Sequence, residues 1–326
     1  MDTRRVGPFE VSAIGLGCMS LSHAYGTPPP REQAERVLLG ALDAGYTFLD
    51  TAAVYGLGHN ETLVGEVLKA RRGDFVLASK CGLTNGDRRE INGRPEVLKA
   101  TCEDSLRRLQ TDVIDLYYLH RWDRRVPIEE SVGALADLVR EGKIRTIGLS
   151  EVSAPTLRRA HAVHPIAALQ TEYSPWTRNP EIAVLDACRR LGVAFVAFSP
   201  VARGFLAGGV RDLARLEPGD LRLNMPRFQG ENFAKNLALL DRFEALADEA
   251  GCTPAQLCLA WLLARDEIIV PIPGTTSPDH MRENAAAASV RLSADVMAKV
   301  DELVNPDTVA GPRYSEALQA TIDTEG

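Results

Sequence analysis

The chain has 326 residues, of which 45% are hydrophobic and 25% are charged, as in an ordinary globular protein. Its 37 Lys and Arg against 44 Asp and Glu give a net charge of −7 with no basic block, which argues against a nucleic-acid partner or an anionic membrane surface. No signal-peptide segment follows Met1, and no apolar run reaches the roughly 18 residues of a membrane span. We therefore expect a cytoplasmic protein whose six cysteines stay reduced.

Short β-branched runs alternate with amphipathic helical stretches along most of the chain. Arg4–Val6 and Phe9–Ser12 predict an N-terminal β-hairpin. The predicted strands that follow begin near Ile14, Thr47, Phe75, Val113, Ile144, Ala167, Ala194 and Ile268. Eight strand–helix units favour a single α/β domain over residues 1–326, a (β/α)₈ TIM barrel with a long insertion after strand seven and a C-terminal tail after Asn305. A doubly wound open sheet is the alternative.

Titratable side chains follow three successive predicted strands at their C-terminal ends, where the active sites of such barrels lie. Strand two ends at Asp50 with Tyr55 five residues later, strand three ends at Lys80, and strand four ends at His120. An ammonium group favours an ionised phenol, so we expect Lys80 to lower the pKa of Tyr55. A carboxylate at Asp50 would hold that ammonium, and His120 would orient a carbonyl oxygen. These four groups predict carbonyl reduction beside a hydride donor.

At these residues the sequence resembles the aldo-keto reductase family, from about Leu16 to Ala288. The stretches that carry the resemblance occur in family order: Phe48–Gly56 with Asn60-Glu61, Leu119-His120, Gly142–Arg145 and Ile147–Ser150. Pro226–Phe233 and Ile272–Thr275 are similar to the branch with plant auxin-induced-type and perakine-reductase-like enzymes. The resemblance implies that Asp50, Tyr55, Lys80 and His120 form a catalytic tetrad.

The resemblance also implies a nicotinamide cofactor, NADP(H) or alternatively NAD(H). Ser150 and Gln170 would bind its carboxamide with Glu151 beside them, and Tyr173 would stack on the ring. The other implied contacts are Gly17, Cys18 and Met19 at the ribose or substrate, Ser199, Pro200, Val201, Arg203 and Gly204 at the pyrophosphate, and Gly274, Thr275, Thr276, Ser277, His280, Glu283 and Asn284 at the adenosine. Relatives often have Lys or Arg near positions 274, 276 or 280, so we expect a weakened preference for NADP(H).

The predicted function is the NADP(H)-dependent reduction of a small-molecule aldehyde or ketone. A cofactor-binding sensor of the potassium-channel β-subunit type is the alternative. A metal-dependent lyase is disfavoured, because the chain has no clustered metal-ligand spacing and we expect no metal. Tyr25, Trp122 and Trp176 are candidates for the substrate pocket. Arg121, Arg124 and Arg125 follow strand four and favour a solvated rim over an anion site, and no motif indicates the oligomeric state.

Overall fold

A barrel of eight parallel strands forms the centre of the computed structural model, which describes residues 1–85 and 89–325. Neighbouring barrel strands follow one another in chain order. The barrel strands are β3 (Leu16–Gly17), β4 (Phe48–Asp50), β5 (Val76–Cys81), β8 (Ile114–Leu119), β9 (Ile144–Ser150), β10 (Ile166–Glu172), β11 (Ala194–Phe198) and β12 (Ile269–Pro271). Each predicted strand start lies within about two residues of an observed barrel strand.

Backbone hydrogen bonds join the first and last barrel strands. The amide of Gly15 donates to the carbonyl oxygen of Pro271 at 2.9 Å, and the amide of Gly17 donates to that of Pro273 at 3.1 Å. Gly17 also pairs with Gly274 in a parallel bridge. A Cβ atom on Gly17 would lie 2.8 Å from a backbone oxygen of Ile272, so this approach requires glycine. The predicted (β/α)₈ barrel is confirmed, and the open-sheet alternative is not.

Helices surround the barrel and bury one face against it. In α4, for example, Ile128, Val132 and Leu135 are buried at helical spacing, while Glu130 is exposed. The helices are α1 (Arg31–Asp43), α2 (His59–Leu68), α3 (Pro95–Leu109), α4 (Ile128–Arg140), α5 (Ala154–Val163), α6 (Val184–Leu191), α7 (Gly230–Glu249), α8 (Pro254–Arg265), α9 (Pro278–Ala286), α10 (Ala294–Leu303) and α11 (Glu316–Gln319). None in the described part of the chain is long and apolar enough to cross a membrane.

Two hairpins and two irregular segments lie outside the barrel. The predicted N-terminal hairpin is present as β1 (Thr3–Val6) and β2 (Phe9–Ser12). A second hairpin, β6 (Leu83–Asn85) and β7 (Arg89–Ile91), was not expected from the sequence and lies between β5 and α3. The insertion after β11 consists of short 3₁₀ turns followed by α7, and the tail after α10 contains only α11.

Candidate active site

A cavity of about 460 Å³ opens at the C-terminal ends of the barrel strands. Asp50 at the end of β4, Ser150 at the end of β9, Gln170 near the end of β10 and Phe198 at the end of β11 all line it. The parallel strands carry these side chains to one rim, which is the usual position of an active site in this fold. Tyr55 lines the same cavity from the loop after β4.

A buried ammonium group links the carboxylate and the phenol at the base of the cavity. Lys80 forms an ion pair with Asp50 and donates to the carbonyl oxygen of Thr51 at 2.9 Å. Its Nζ also donates to the Tyr55 hydroxyl oxygen at 3.2 Å. Asp50 and Lys80 are 2% and 1% exposed, so water does not screen this contact.

Burial and charge act in opposite directions on these groups. Burial alone would lower the pKa of Lys80, but the Asp50 carboxylate and the Tyr55 hydroxyl raise it, and the amine stays protonated. Burial raises the pKa of Tyr55 by more than the Lys80 charge lowers it. Lys80 therefore lowers the pKa of Tyr55 as expected, but burial keeps the pKa above its ordinary value, and the phenol holds its proton at neutral pH.

Two imidazole rings flank the Tyr55 phenol. His120 lies edge-on to the tyrosine ring, with 5.8 Å between ring centroids, and His23 lies 5.6 Å away on a tilted plane. The backbone amide of His120 donates to Cys81 at 2.8 Å, which fixes the histidine at the end of β8. Both imidazoles line the cavity, and the structure thus brings the four predicted catalytic side chains together.

Amide and hydroxyl groups continue the cavity wall from the carboxylate. The Gln170 side-chain amide donates to the second oxygen of Asp50 at 2.7 Å. The Ser150 hydroxyl accepts a 3.3 Å hydrogen bond from Arg121. The predicted carboxamide-binding side chains of Ser150 and Gln170 are therefore next to each other and next to the tetrad, as their pairing across β9 and β10 requires.

The loop after β11 forms another part of the cavity wall. Ser199, Ala202 and Arg203 have left-handed backbone torsions, with φ of 49°, 52° and 59°, a conformation that costs energy for residues other than glycine. Strain of this kind is typical of ligand-binding loops. Predicted cofactor residues line the cavity in this loop, at the end of β3 and after β12. They are Gly17, Met19, Ser199, Pro200, Val201, Arg203, Gly204, Gly274, Thr275 and Thr276.

Helix α9 begins where this cavity wall ends. Ser277 caps it by accepting the amide of His280 at 3.3 Å, and the Thr275 hydroxyl accepts the amide of Ser277 at 3.0 Å. The N-terminus of α9 follows the close pair Gly17 and Gly274, and Arg203 lines the same cavity. Such a helix N-terminus suits the phosphates of a dinucleotide. Ser277, His280, Glu283 and Asn284 belong to this cap and helix rather than to the cavity wall. Glu283 accepts the Thr253 hydroxyl, and Asn284 is buried.

Tyr173, expected to stack on a nicotinamide, does not line the cavity. It is 1% exposed, its hydroxyl donates to Glu181 at 2.6 Å, and its ring packs on Trp261 of α8. The side chain follows β10 on the face directed to the helices. Phe198 is the aromatic residue in the cavity, and as the last residue of β11 it could have been found by the same strand-end reasoning.

Cys18 and Glu151 also lie outside the cavity lining, contrary to expectation. Cys18 is 1% exposed in the core, and burial raises the pKa of its thiol to about 12. Glu151 is 1% exposed, accepts the amide of Glu172 at 3.0 Å and binds Arg313 at 2.8 Å. Its carboxylate holds the C-terminal tail rather than a ligand.

The three substrate-pocket candidates also differ in whether they line the cavity. Tyr25 lines the cavity beneath the guanidinium of Arg222, 5.0 Å from its ring. Trp176 is 5% exposed and packs edge-on against Phe205 at 4.1 Å. Trp122 donates its indole N–H to the carbonyl oxygen of Val126 at 2.9 Å. Neither tryptophan lines the cavity; the wall residues not named as candidates from the sequence include Leu83, Met225, Tyr314, Leu318 and Thr321.

Comparisons with known proteins agree with this architecture. The Aldo/keto reductase family profile matches residues 13–305. A probable aldo-keto reductase 1 from Glycine max is 45% identical over 314 residues, covering 95% of this chain and 90% of that protein. Among solved structures, the glycerol dehydrogenase of Gluconobacter oxydans is 30% identical with a TM-score of 0.86, covering 95% and 97% of the two chains. An aldo/keto reductase from Klebsiella pneumoniae, solved with NADP and acetate, is 29% identical with a TM-score of 0.73, covering 98% of each chain. The chain belongs to the aldo/keto reductase family, a family of oxidoreductases.

Proposed function

We propose that the protein reduces an aldehyde or ketone to an alcohol with NADP(H) as the hydride donor, and that it accepts NAD(H) more weakly. Family membership and the NADP bound to the Klebsiella pneumoniae relative support the cofactor class. The observation that carries the proposal is the buried chain Asp50–Lys80–Tyr55, which presents a protonated phenol to the cavity beside His120.

In this proposal Tyr55 is the general acid. When bound, the nicotinamide cofactor would supply the hydride that reduces the carbonyl carbon. Tyr55 donates its proton to the carbonyl oxygen, and the charge left on the phenolate is stabilised by Lys80 at 3.2 Å. Asp50 keeps Lys80 charged and in place, and His120 donates to the same oxygen to orient it. In the direction of alcohol oxidation, the same residues accept the proton.

The cofactor residues follow from the cavity wall. Ser150 and Gln170 would bind the carboxamide, and Phe198 would pack on the nicotinamide ring in place of Tyr173. Gly17 and Met19 would lie at the ribose or substrate. The strained loop at positions 199–204 would follow the pyrophosphate, and the adenosine end would lie against Gly274, Thr275, Thr276 and the start of α9, where Ser277, His280, Glu283 and Asn284 are placed.

A screen of aromatic and aliphatic carbonyl compounds with NADPH and with NADH tests this function. We expect NADPH oxidation that depends on the carbonyl compound, and a severe loss in Lys80→Met, since that change removes the charge next to the phenol. Cofactor binding by protein fluorescence should be measured in parallel. Tight NADPH binding without turnover of any carbonyl compound would reject the reductase and favour the sensor alternative.

A further inference from the structure

An arginine without a carboxylate partner lies in the cavity wall beside the reacting phenol. Arg121 directly follows His120 after β8 and lines the cavity with Tyr55. It is half-buried, and its positive charge acts on the Tyr55 hydroxyl. The sequence favoured a solvated rim at this position, but the side chain lies within the cavity.

One side of the Arg121 guanidinium is anchored and the other is not. Nη1 donates to the carbonyl oxygen of His120 at 2.7 Å and to the Ser150 hydroxyl at 3.3 Å. Within residues 1–85 and 89–325, no carboxylate is in ion-pair contact with Arg121, and its Nε and Nη2 have no hydrogen-bond acceptor. This edge of the planar guanidinium presents parallel N–H donors in the geometry that matches two carboxylate oxygens.

The other arginines near the cavity are neutralised by neighbours. Arg203 binds Glu172 at 2.6 Å, and Arg222 binds Asp220 at 2.6 Å. Arg125, on the same loop as Arg121, binds Asp123 at 2.9 Å. Asp50 is the one carboxylate among the described lining residues, and it is paired with Lys80. Among the described cationic residues near Tyr55, Arg121 is therefore the one without a carboxylate partner.

We propose that the substrates are carbonyl compounds that carry a carboxylate, which binds to the Nε–Nη2 edge of Arg121 while the carbonyl oxygen meets Tyr55. The inference rests on the proposed function and names its substrate class. A local positive site in a chain of net charge −7 selects anions, because the rest of the surface repels them. Neutral carbonyl compounds of the same size are poorer substrates, since they leave the guanidinium without its partner.

Two aldehydes of nearly equal shape test the charge requirement. With NADPH, kcat/KM should be measured for 4-carboxybenzaldehyde and for its neutral amide, 4-formylbenzamide. The ratio of acid to amide should fall by about ten- to hundredfold in Arg121→Gln, mainly through KM, as expected for one or two charge-assisted hydrogen bonds. Arg121→Lys keeps the charge without the planar fork and should restore part of the ratio.

Arg125→Gln is the matched control, since it removes the same charge from the same loop outside the cavity, and its ratio should equal that of the unmodified protein. An unchanged ratio in Arg121→Gln would overturn the proposal. A loss of NADPH affinity in Arg121→Gln, with the ratio unchanged, would mean that the anion is a phosphate of the cofactor.

A binding measurement separates this inference from the proposed function. Benzoate cannot be reduced here, so its calorimetric affinity for the protein with NADP⁺ reports the anion site alone. We expect binding that is about tenfold weaker or more in Arg121→Gln. Binding that depends on Arg121 without any carbonyl turnover would reject the reductase and keep the anion site, whereas binding unaffected by Arg121→Gln would reject the anion site.

Discussion

The phenol of Tyr55 is the only acid that the buried chain of Lys80 and Asp50 presents to the cavity among the described residues. Tyr55→Phe should therefore lower kcat by about 10²- to 10⁴-fold, the usual contribution of general acid catalysis, while NADPH affinity changes little. Single-turnover kinetics and fluorescence titration would measure the two effects. Tyr173→Phe removes a buried hydroxyl outside the cavity and should leave kcat unchanged. Near-normal turnover in Tyr55→Phe would contradict the assignment.

The ionisation of Tyr55 gives a second prediction. Burial holds its pKa above the ordinary value of 10.0 although Lys80 is adjacent. The protonated acid therefore persists across the neutral and mildly alkaline range, and the midpoint of phenolate formation should lie above pH 10. Lys80→Met removes the charge that lowers this pKa and should raise it further. The pKa of Tyr55 can be measured from the phenolate absorbance of the unmodified protein after subtraction of the absorbance of Tyr55→Phe. A titration midpoint below pH 10 would show that the charge outweighs burial.

Strand-end reasoning predicted the positions of the tetrad but not every ligand contact. Asp50, Lys80 and His120 lie within one residue of the ends of parallel strands, and parallel strands end on one rim whatever the packing around them. The orientation of a side chain beyond the strand end depends on tertiary contacts instead. Tyr173 turned to Trp261 and Glu181 in the helix layer, while Phe198 entered the cavity. No periodicity distinguishes those two outcomes.

Buried charge pairs hold the C-terminal tail on the barrel rim. Arg313 binds Glu151 at 2.8 Å and Glu172 at 3.0 Å, and Glu172 also binds Arg203 of the strained loop. Tyr314 next to Arg313 lines the cavity. The sequence showed an irregular tail but could not predict the pairs of Arg313, because Glu151 and Glu172 lie more than 100 residues before it in the chain. The C-terminal tail therefore forms part of the cavity wall, and buried ion pairs hold it to the barrel.

Removing Arg313 should weaken the tail and the site together. Arg313→Met leaves Glu151 without its cation partner in a buried position, and breaking a buried pair in this way costs about 3–5 kcal/mol. The free energy of unfolding from urea titration should fall accordingly, and KM for the carbonyl substrate should rise as the wall at Tyr314 loosens. Arg282→Met removes an exposed partner of Asp279 and should change neither value. Equal stability of the Arg313 variant and the unmodified protein would contradict a structural role for the pair.

Glu172 makes the same network sensitive to acid. Burial alone would raise the pKa of Glu172, but Arg203, Arg313 and Arg227 lower it to about 2 from an ordinary 4.5. The carboxylate therefore stabilises the fold above pH 4.5, and this contribution, about 3 kcal/mol, disappears as the pH falls toward 2. The difference in unfolding free energy between the unmodified protein and Glu172→Gln should shrink by that amount between pH 6 and pH 2. A constant difference would show that Glu172 titrates normally.

For the whole molecule, we predict that activity requires the nicotinamide cofactor and no metal ion. The described residues contain no cluster of three or more His, Cys, Asp or Glu side chains placed to bind an ion. In the proposed mechanism Lys80 provides the positive charge that a metal would otherwise supply. Dialysis against a strong chelator should leave both turnover and thermal stability unchanged. Activity that is lost in this way and restored by Zn²⁺ or Mg²⁺ would replace the mechanism with a Lewis-acid one.

Cofactor binding should stabilise the whole barrel, because residues of β3, of the loop after β11 and of the loop before α9 all line the cavity. A ligand at one hundred times its Kd adds about 2.7 kcal/mol to the free energy of unfolding, which raises the Tm of a domain of this size by about 4 °C. NADPH should raise the Tm more than NADH at equal concentration. The difference should be small, since Thr276 and the start of α9 offer hydroxyl and amide donors without a fixed positive charge. Thr276→Lys adds that charge at the rim and should widen the difference, while Thr276→Ser should not. Equal or larger stabilisation by NADH in the unmodified protein would reject the preference for NADP(H).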